Sequence, residues 1–218
     1  MRSFLEYIVE EAEHSAKLTH LDHPEDNAIT RGKAGFEHAF NALKDVHKAI
    51  QGKEHTSKIS TKLDGSPSVV FGHNPDNHQF FVASKSAFNK NPKVNYTHED
   101  IDRNHGHSPG LANKLHQALN HLPKVAPRVG VYQGDFMHSH DEMQHSDHKL
   151  SFKPNTITYS LNKRSPEGKK AANSKIGIAV HTKYEGSSFE NMHATPHVDH
   201  ENFRPHRDVH MISAETKL

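Results

Sequence analysis

A chain of 218 residues with 33% hydrophobic side chains and no tryptophan has the length of one ordinary domain, but its core must be lean. Its 27 basic and 26 acidic residues leave a formal charge of +1, which excludes the global positive field of a dedicated nucleic-acid coat. The absence of cysteine excludes disulfides, thiolate zinc sites and cysteine nucleophiles. No run approaches the roughly 18 apolar residues of a membrane span, and the N-terminus lacks the apolar core of a secretory signal, so the sequence reads as cytosolic.

Residues 1–13 place Phe4, Leu5, Ile8, Val9 and Ala12 on one stripe at helical spacing, which predicts a short amphipathic helix. The segment from there to 32, including His23-Pro24-Glu25-Asp26-Asn27, reads as a linker, so 1–32 form an N-terminal appendage. From Gly35, the spacing of Phe36, Phe40, Leu43, Val46 and Ile50 predicts a second helix that stops at Gly52 and packs on a sheet. Short β-branched or aromatic runs at 58–61, 68–71 and 79–83 predict the start of that sheet. The Gly- and Asn-rich turn at 72–77 makes a hairpin of the last two runs.

Residues 86–110 read as a long surface excursion, and Leu111, Leu115, Leu119 and Leu122 as a third helix ending before Pro123. Further strands are expected at 128–133, 156–161 and 176–182. Beyond Gly186 the chain reads as loop. The outcome is an α+β domain over 33–186, with mixed or antiparallel sheets and flanking helices, and a loop-rich segment over 187–218.

The most informative segment is Thr61-Lys62-Leu63-Asp64-Gly65-Ser66-Pro67-Ser68. It puts Lys62 at a strand end, beside a carboxylate, with Asp64-Gly65 turning the chain back. A lysine so placed becomes a nucleophile when burial or a neighbouring cation lowers its pKa, and Lys85 on the next strand is such a cation.

Lys62-Leu63-Asp64-Gly65 resembles the first motif, Lys-x-Asp-Gly, of the covalent nucleotidyltransferase superfamily of DNA ligases, RNA ligases and mRNA capping enzymes. The resemblance continues at Ser84-Lys85, similar to the family's next basic element, and at Gly134-Asp135-Phe136-Met137, with Asp for the usual Glu. It implies a ligase-type nucleotidyltransferase fold, an ATP-grasp-like adenylation domain, in which Lys62 takes AMP from ATP and releases pyrophosphate. By the same resemblance Asp64, Gly65 and Lys85 contact the nucleotide, and Asp135 contacts the ribose or a magnesium-bound water, with manganese as the alternative ion. The strand at 176–182 lacks the family's adenine-stacking aromatic, leaving Tyr159 or Phe152 to serve. Glu185-Gly186 is the only match to the fourth element, and the terminal Lys-x-Lys has none. DNA and RNA ends both remain open as substrates, and so do ATP and GTP.

The loop at 138–148 holds His138, His140, Asp141, Glu142, His145, Asp147 and His148. Such side chains bind transition metals, but 23 histidines make clustering in a solvated loop the plainer reading, and no metal site is assigned there or at His193, His197, His200, His206 and His210. Residues 1–10 resemble the targeting peptides of internal head proteins of large tailed bacteriophages, cut after a triplet such as Ile8-Val9-Glu10. An amphipathic helix docked on the core explains the same residues. The alternative function is therefore a catalytically inactive ligase-fold protein that binds nucleic acid or phage head proteins, located in the host cytoplasm or the virion head.

Overall fold

The computed structural model describes residues 24–54, 56 and 61–213. The helix expected at 1–13 and the strand expected at 58–61, apart from its last residue Thr61, lie outside the described residues. Among the described residues no helix is long and apolar enough to cross a membrane.

Helix α1, Pro24–Thr30, occupies part of the stretch expected to be a linker. Proline is well suited to a first helical position, where its missing N–H is no loss, and the Thr30 hydroxyl donates back to the Asp26 carbonyl at 2.9 Å. Helix α2, Gly32–Ile50, lies against α1 so closely that a Cβ on Gly35 would sit 1.8 Å from the Asn27 carbonyl oxygen. Its apolar stripe forms as expected, with Phe36 and Phe40 stacked at 6.0 Å. The expected packing on a sheet does not: Phe36, Leu43 and Ile50 are 58%, 64% and 69% exposed.

The main sheet runs β2-β1-β3-β7-β8, with β9 on the β8 side of β7 but at its opposite end. Strands β1 (Ser68–His73) and β2 (Phe80–Ala83) form the expected hairpin, whose turn is fixed by Asn74 Oδ1 accepting the Asp76 N–H at 2.8 Å. Strand β3, Val131–Ser139, runs well past the expected end and makes Gly134 and Asp135 central. Strand β7, Ile176–Glu185, pairs antiparallel with β3 and is bulged opposite Gln133 and Gly134. Strands β8 (His193–Thr195) and β9 (Val209–Met211) occupy the stretch expected to be loop.

A second antiparallel sheet joins β4 (Gln144–His145), β5 (Lys149–Phe152) and β6 (Tyr159–Asn162). The presumed excursion at 86–110 contains helix α3, His98–His105, started by a capping box in which Thr97 and Asp100 bond each other's backbone N–H. Helix α4, Pro109–His121, lies where the leucines placed it, and α5, Pro166–Asn173, begins at the cap Ser165.

Burial follows the pleat. Val69, Phe71, Tyr132, Phe136, Ile178 and Val180 meet Ile101, Leu115 and Leu122 from α3, α4 and the turn after α4 on one face. The opposite face is apolar at its two ends only. Val70, Phe81, Val131 and Tyr184 pack under Phe189 and Met192 at one end, while Met137 and Ala179 pack against Leu150 and Phe152 of the second sheet at the other.

Candidate functional site

Between those two apolar ends the sheet carries polar side chains, because alternation along β3 sends Gln133 and Asp135 to the same face as Val131 and Met137. Gln133 Nε2 donates to Ser68 Oγ at 2.8 Å, and the Tyr184 hydroxyl donates to Gln133 Oε1. From the bulge in β7, His181 places Nε2 3.5 Å from Asp135 Oδ1 and Nδ1 2.8 Å from the Thr182 hydroxyl. A bulge leaves one residue out of the ladder and re-aims its side chain, and the pairing resumes on either side at Thr182 and Val180.

The Lys62-Leu63-Asp64-Gly65 loop lies over this strip and is held from both sheets. Against the main sheet, the Ser66 N–H donates to the Phe136 carbonyl at 3.0 Å and the Phe136 N–H to the Pro67 carbonyl at 2.9 Å. Gly65 is so close to β3 that a Cβ would lie 2.6 Å from Asp135 Cβ and 2.7 Å from Met137 Sδ. Against the second sheet, the Asp64 N–H donates to the Tyr159 hydroxyl at 2.7 Å. The Asp64 carboxylate accepts Asn155 Nδ2 at 2.9 Å and the Thr156 hydroxyl at 2.8 Å.

Those bonds from Asn155, then Thr156, hold the Asp64 carboxyl below its ordinary range, with a smaller electrostatic contribution from Lys62. Asp64 is thus an ionised anchor, its two oxygens both used. Lys62 is exposed, and its ammonium makes no hydrogen bond or salt bridge within the described residues.

The structure brings Lys62, Asp64, Gly65, Asp135 and Tyr159 together. Lys85, exposed at the head of a short 3-10 turn after β2, lies at the same end of the sheet, since Ala83 pairs with Val70 and Ser68 with Asp135. Glu185 is not part of the group. It follows Tyr184, which pairs with Val131, four residues from Asp135 or about 13 Å along the strand, and its carboxylate is 2.9 Å from Lys183 Nζ. Phe152 is buried between the rings of Tyr159 and His138, at 5.6 Å and 4.8 Å.

Sequence reasoning missed Asn155, Thr156 and His181. The first two stand more than 90 positions from Asp64, and His181 is aimed by a bulge that alternation does not reveal.

The architecture defines the class: a mixed α+β protein with antiparallel sheets and flanking helices. The chain belongs to the family described as "Family of unknown function (DUF6267)", whose model matches residues 18–218. No curated protein and no solved structure matches it.

Proposed function

We propose that the chain is an ATP-dependent, ligase-like nucleotidyltransferase that takes nucleotide covalently on Lys62 and acts on nucleic-acid ends. The observation that supports this reading is the clamping of Asp64 and Gly65 between the two sheets, two and three residues after Lys62, whose ammonium makes no hydrogen bond or salt bridge within the described residues. A lysine next to a fixed stretch of chain, with an ammonium left open to a ligand, is what a covalent step requires.

In that step the deprotonated Lys62 Nζ attacks the α-phosphorus of ATP. An N–P bond forms, the bond to the leaving pyrophosphate breaks, and the lysine nitrogen gives up a proton. Lys85 would contact the phosphates and Asp135 the ribose hydroxyls. The Asp135 side chain is 17% exposed, which suits a magnesium or manganese ion held through water and phosphate oxygens rather than in a protein cage. That ion supplies charge stabilisation at the reacting phosphate. Tyr159 anchors the loop through Asp64, a role closer to positioning than to stacking on a base.

The test is incubation of the full chain with magnesium and each α-labelled nucleoside triphosphate, followed by denaturing electrophoresis and intact mass. An adduct of one nucleoside monophosphate, lost in Lys62→Ala and Lys62→Arg, is the expected result. Normal labelling of either variant would remove Lys62 from the reaction. A second reading, a non-catalytic protein of the same architecture that binds nucleic acid or phage head proteins, is favoured by the uncovered apolar stripe of α2, a surface suited to assembly. Nucleotide binding without pyrophosphate release selects that reading.

A further inference from the structure

The formal charge of +1 is the sum of two opposed regions. Residues 149–175, which form β5, β6, α5 and their connections, hold six lysines and Arg164 against the single acid Glu167, whereas the rest of the chain holds 20 basic and 25 acidic residues. Glu167 is already engaged, by Lys170 at 2.7 Å and His210 at 2.9 Å. The side chains of Lys149, Lys153, Lys163 and Arg164 make no hydrogen bond or ion pair within the described residues, and all are exposed except the half-buried Lys163. A near-neutral protein thus carries a concentrated positive field on one part of its surface.

The register of the second sheet sets these cations in a row. Leu150 and Phe152 turn inward with their partners Leu161 and Tyr159, so alternation sends Lys149 and Ser151 outward with Asn162 and Ser160. The Lys163 N–H donates to the His148 carbonyl at 3.0 Å, which places the Lys163-Arg164 turn beside Lys149. At the other end of β5, Lys153 opens with Gln144 and Ser151 onto one cleft. Two residues further on, Asn155 and Thr156 grip Asp64 of the lysine loop. The step from Lys149 to Lys153 covers about 13 Å, a length over which one strand of B-form duplex carries about four phosphates. Asp147, in the bend before Lys149, and Glu142, already paired with Lys114, are the acids that border the row.

Unpaired cations set among hydroxyls and amides suit a phosphodiester backbone. Sites for single strands add aromatic rings on which the bases stack, but the two aromatic residues of this segment are withdrawn: Phe152 is buried, and Tyr159 is turned inward onto it at 5.6 Å. We propose that the outer face of the second sheet and the Lys163-Arg164 turn bind double-stranded nucleic acid through its phosphates, without reading sequence, and direct the duplex toward Lys62. The direction rests on the nucleotidyltransferase reading, and the binding face does not.

The experiment is fluorescence anisotropy of short labelled blunt duplexes, DNA and RNA, titrated with the full chain between about 50 and 200 mM salt. Four phosphate contacts predict a slope of log affinity against log salt of about −3 to −4, and a loss of about a hundredfold over that range. Both duplexes present the same backbone charge, and the tighter of the two names the source. Lys153→Ala and Arg164→Ala should each reduce the steepness of the slope by about one, and weaken duplexes of unrelated sequence alike. Lys33→Ala removes an equal charge from α2 and should leave the slope unchanged, whereas Asp147→Asn should tighten binding. A single strand of the same sequence should bind about fivefold more weakly, from its smaller counterion release. The assay contains no nucleoside triphosphate, so duplex binding and covalent labelling of Lys62 succeed or fail separately. Absence of duplex binding, tighter binding of the single strand, or a slope indifferent to both Lys153→Ala and Arg164→Ala would each overturn the proposal. Displacement of the duplex by polyglutamate as readily as by unlabelled duplex would also overturn it, in favour of an acidic-peptide partner.

Discussion

Asp64 and Tyr159, 95 positions apart, are joined by a 2.7 Å hydrogen bond from the Asp64 backbone N–H to the tyrosine hydroxyl. It is the contact that ties the lysine loop to the second sheet at main-chain level. Tyr159→Phe keeps the ring and its stacking on Phe152 but leaves a half-buried N–H unpaired. Denaturant unfolding should show a loss of about 1–2 kcal/mol. Covalent labelling should slow without being abolished, since Asn155 and Thr156 still hold the side chain.

Gly65→Ala acts on the other anchor. The new Cβ would meet Asp135 Cβ and Met137 Sδ inside contact distance, and neither the root of an aspartate nor a packed thioether yields freely. The loop must lift from β3 at a cost of about 1–3 kcal/mol in thermal or denaturant unfolding. Labelling at Lys62 should fall further than in Tyr159→Phe, because the loop that carries the lysine loses its close approach to Asp135 at Gly65. A variant of wild-type stability and reactivity would show that the close approach is dispensable.

The buried histidines set an acid limit. His138 stays neutral in the folded chain down to about 3, and burial also lowers the His210 pKa, whereas both accept protons near 6.5 once unfolded. Their contribution to stability is therefore whole above pH 6.5. It falls as the pH drops below that value, by up to about 1.4 kcal/mol per pH unit for His138. Urea midpoints between pH 7 and pH 4 should decline, with proton uptake on unfolding, and His138→Gln should flatten the decline. An unchanged slope in that variant would place the titration elsewhere.

Asp64 acts at lower pH. Its carboxyl is held below its ordinary value of 3.8, so the stability it lends is present above that pH and is lost as the pH falls through the lowered value. Asp64→Asn should be most deleterious at neutral pH, and the gap from wild type should close at the acid end of a pH series of unfolding midpoints. A gap that stayed constant would mean that shape and not charge holds the loop.

The parts of this arrangement that neighbouring residues specify were legible beforehand. β-Branched and aromatic runs around a turn-rich segment marked the β1 and β2 hairpin, leucine spacing marked α4, and the four-residue lysine motif marked the loop. Helix α3 carried its own signal in the Thr97 and Asp100 capping box, hidden among histidines and asparagines that read as loop. The α2 stripe was read correctly as amphipathic, but periodicity says nothing of whether a partner covers it. Asn155 and Thr156 were invisible for a different reason. A hydrogen bond spanning 91 or 92 positions is specified by the closure of two sheets and leaves no local pattern.

Those long spans govern when the lysine motif acquires its geometry. A growing or proteolysed chain that stops before Asn155 contains Lys62, Asp64 and Gly65 in full, yet lacks all three side chains, Asn155, Thr156 and Tyr159, that fix Asp64. Contacts of such high sequence separation are among the last to form, so fragments and early folding intermediates carry the motif as a loop without its anchors. The chemistry proposed for Lys62 would thereby be confined to molecules that have finished folding.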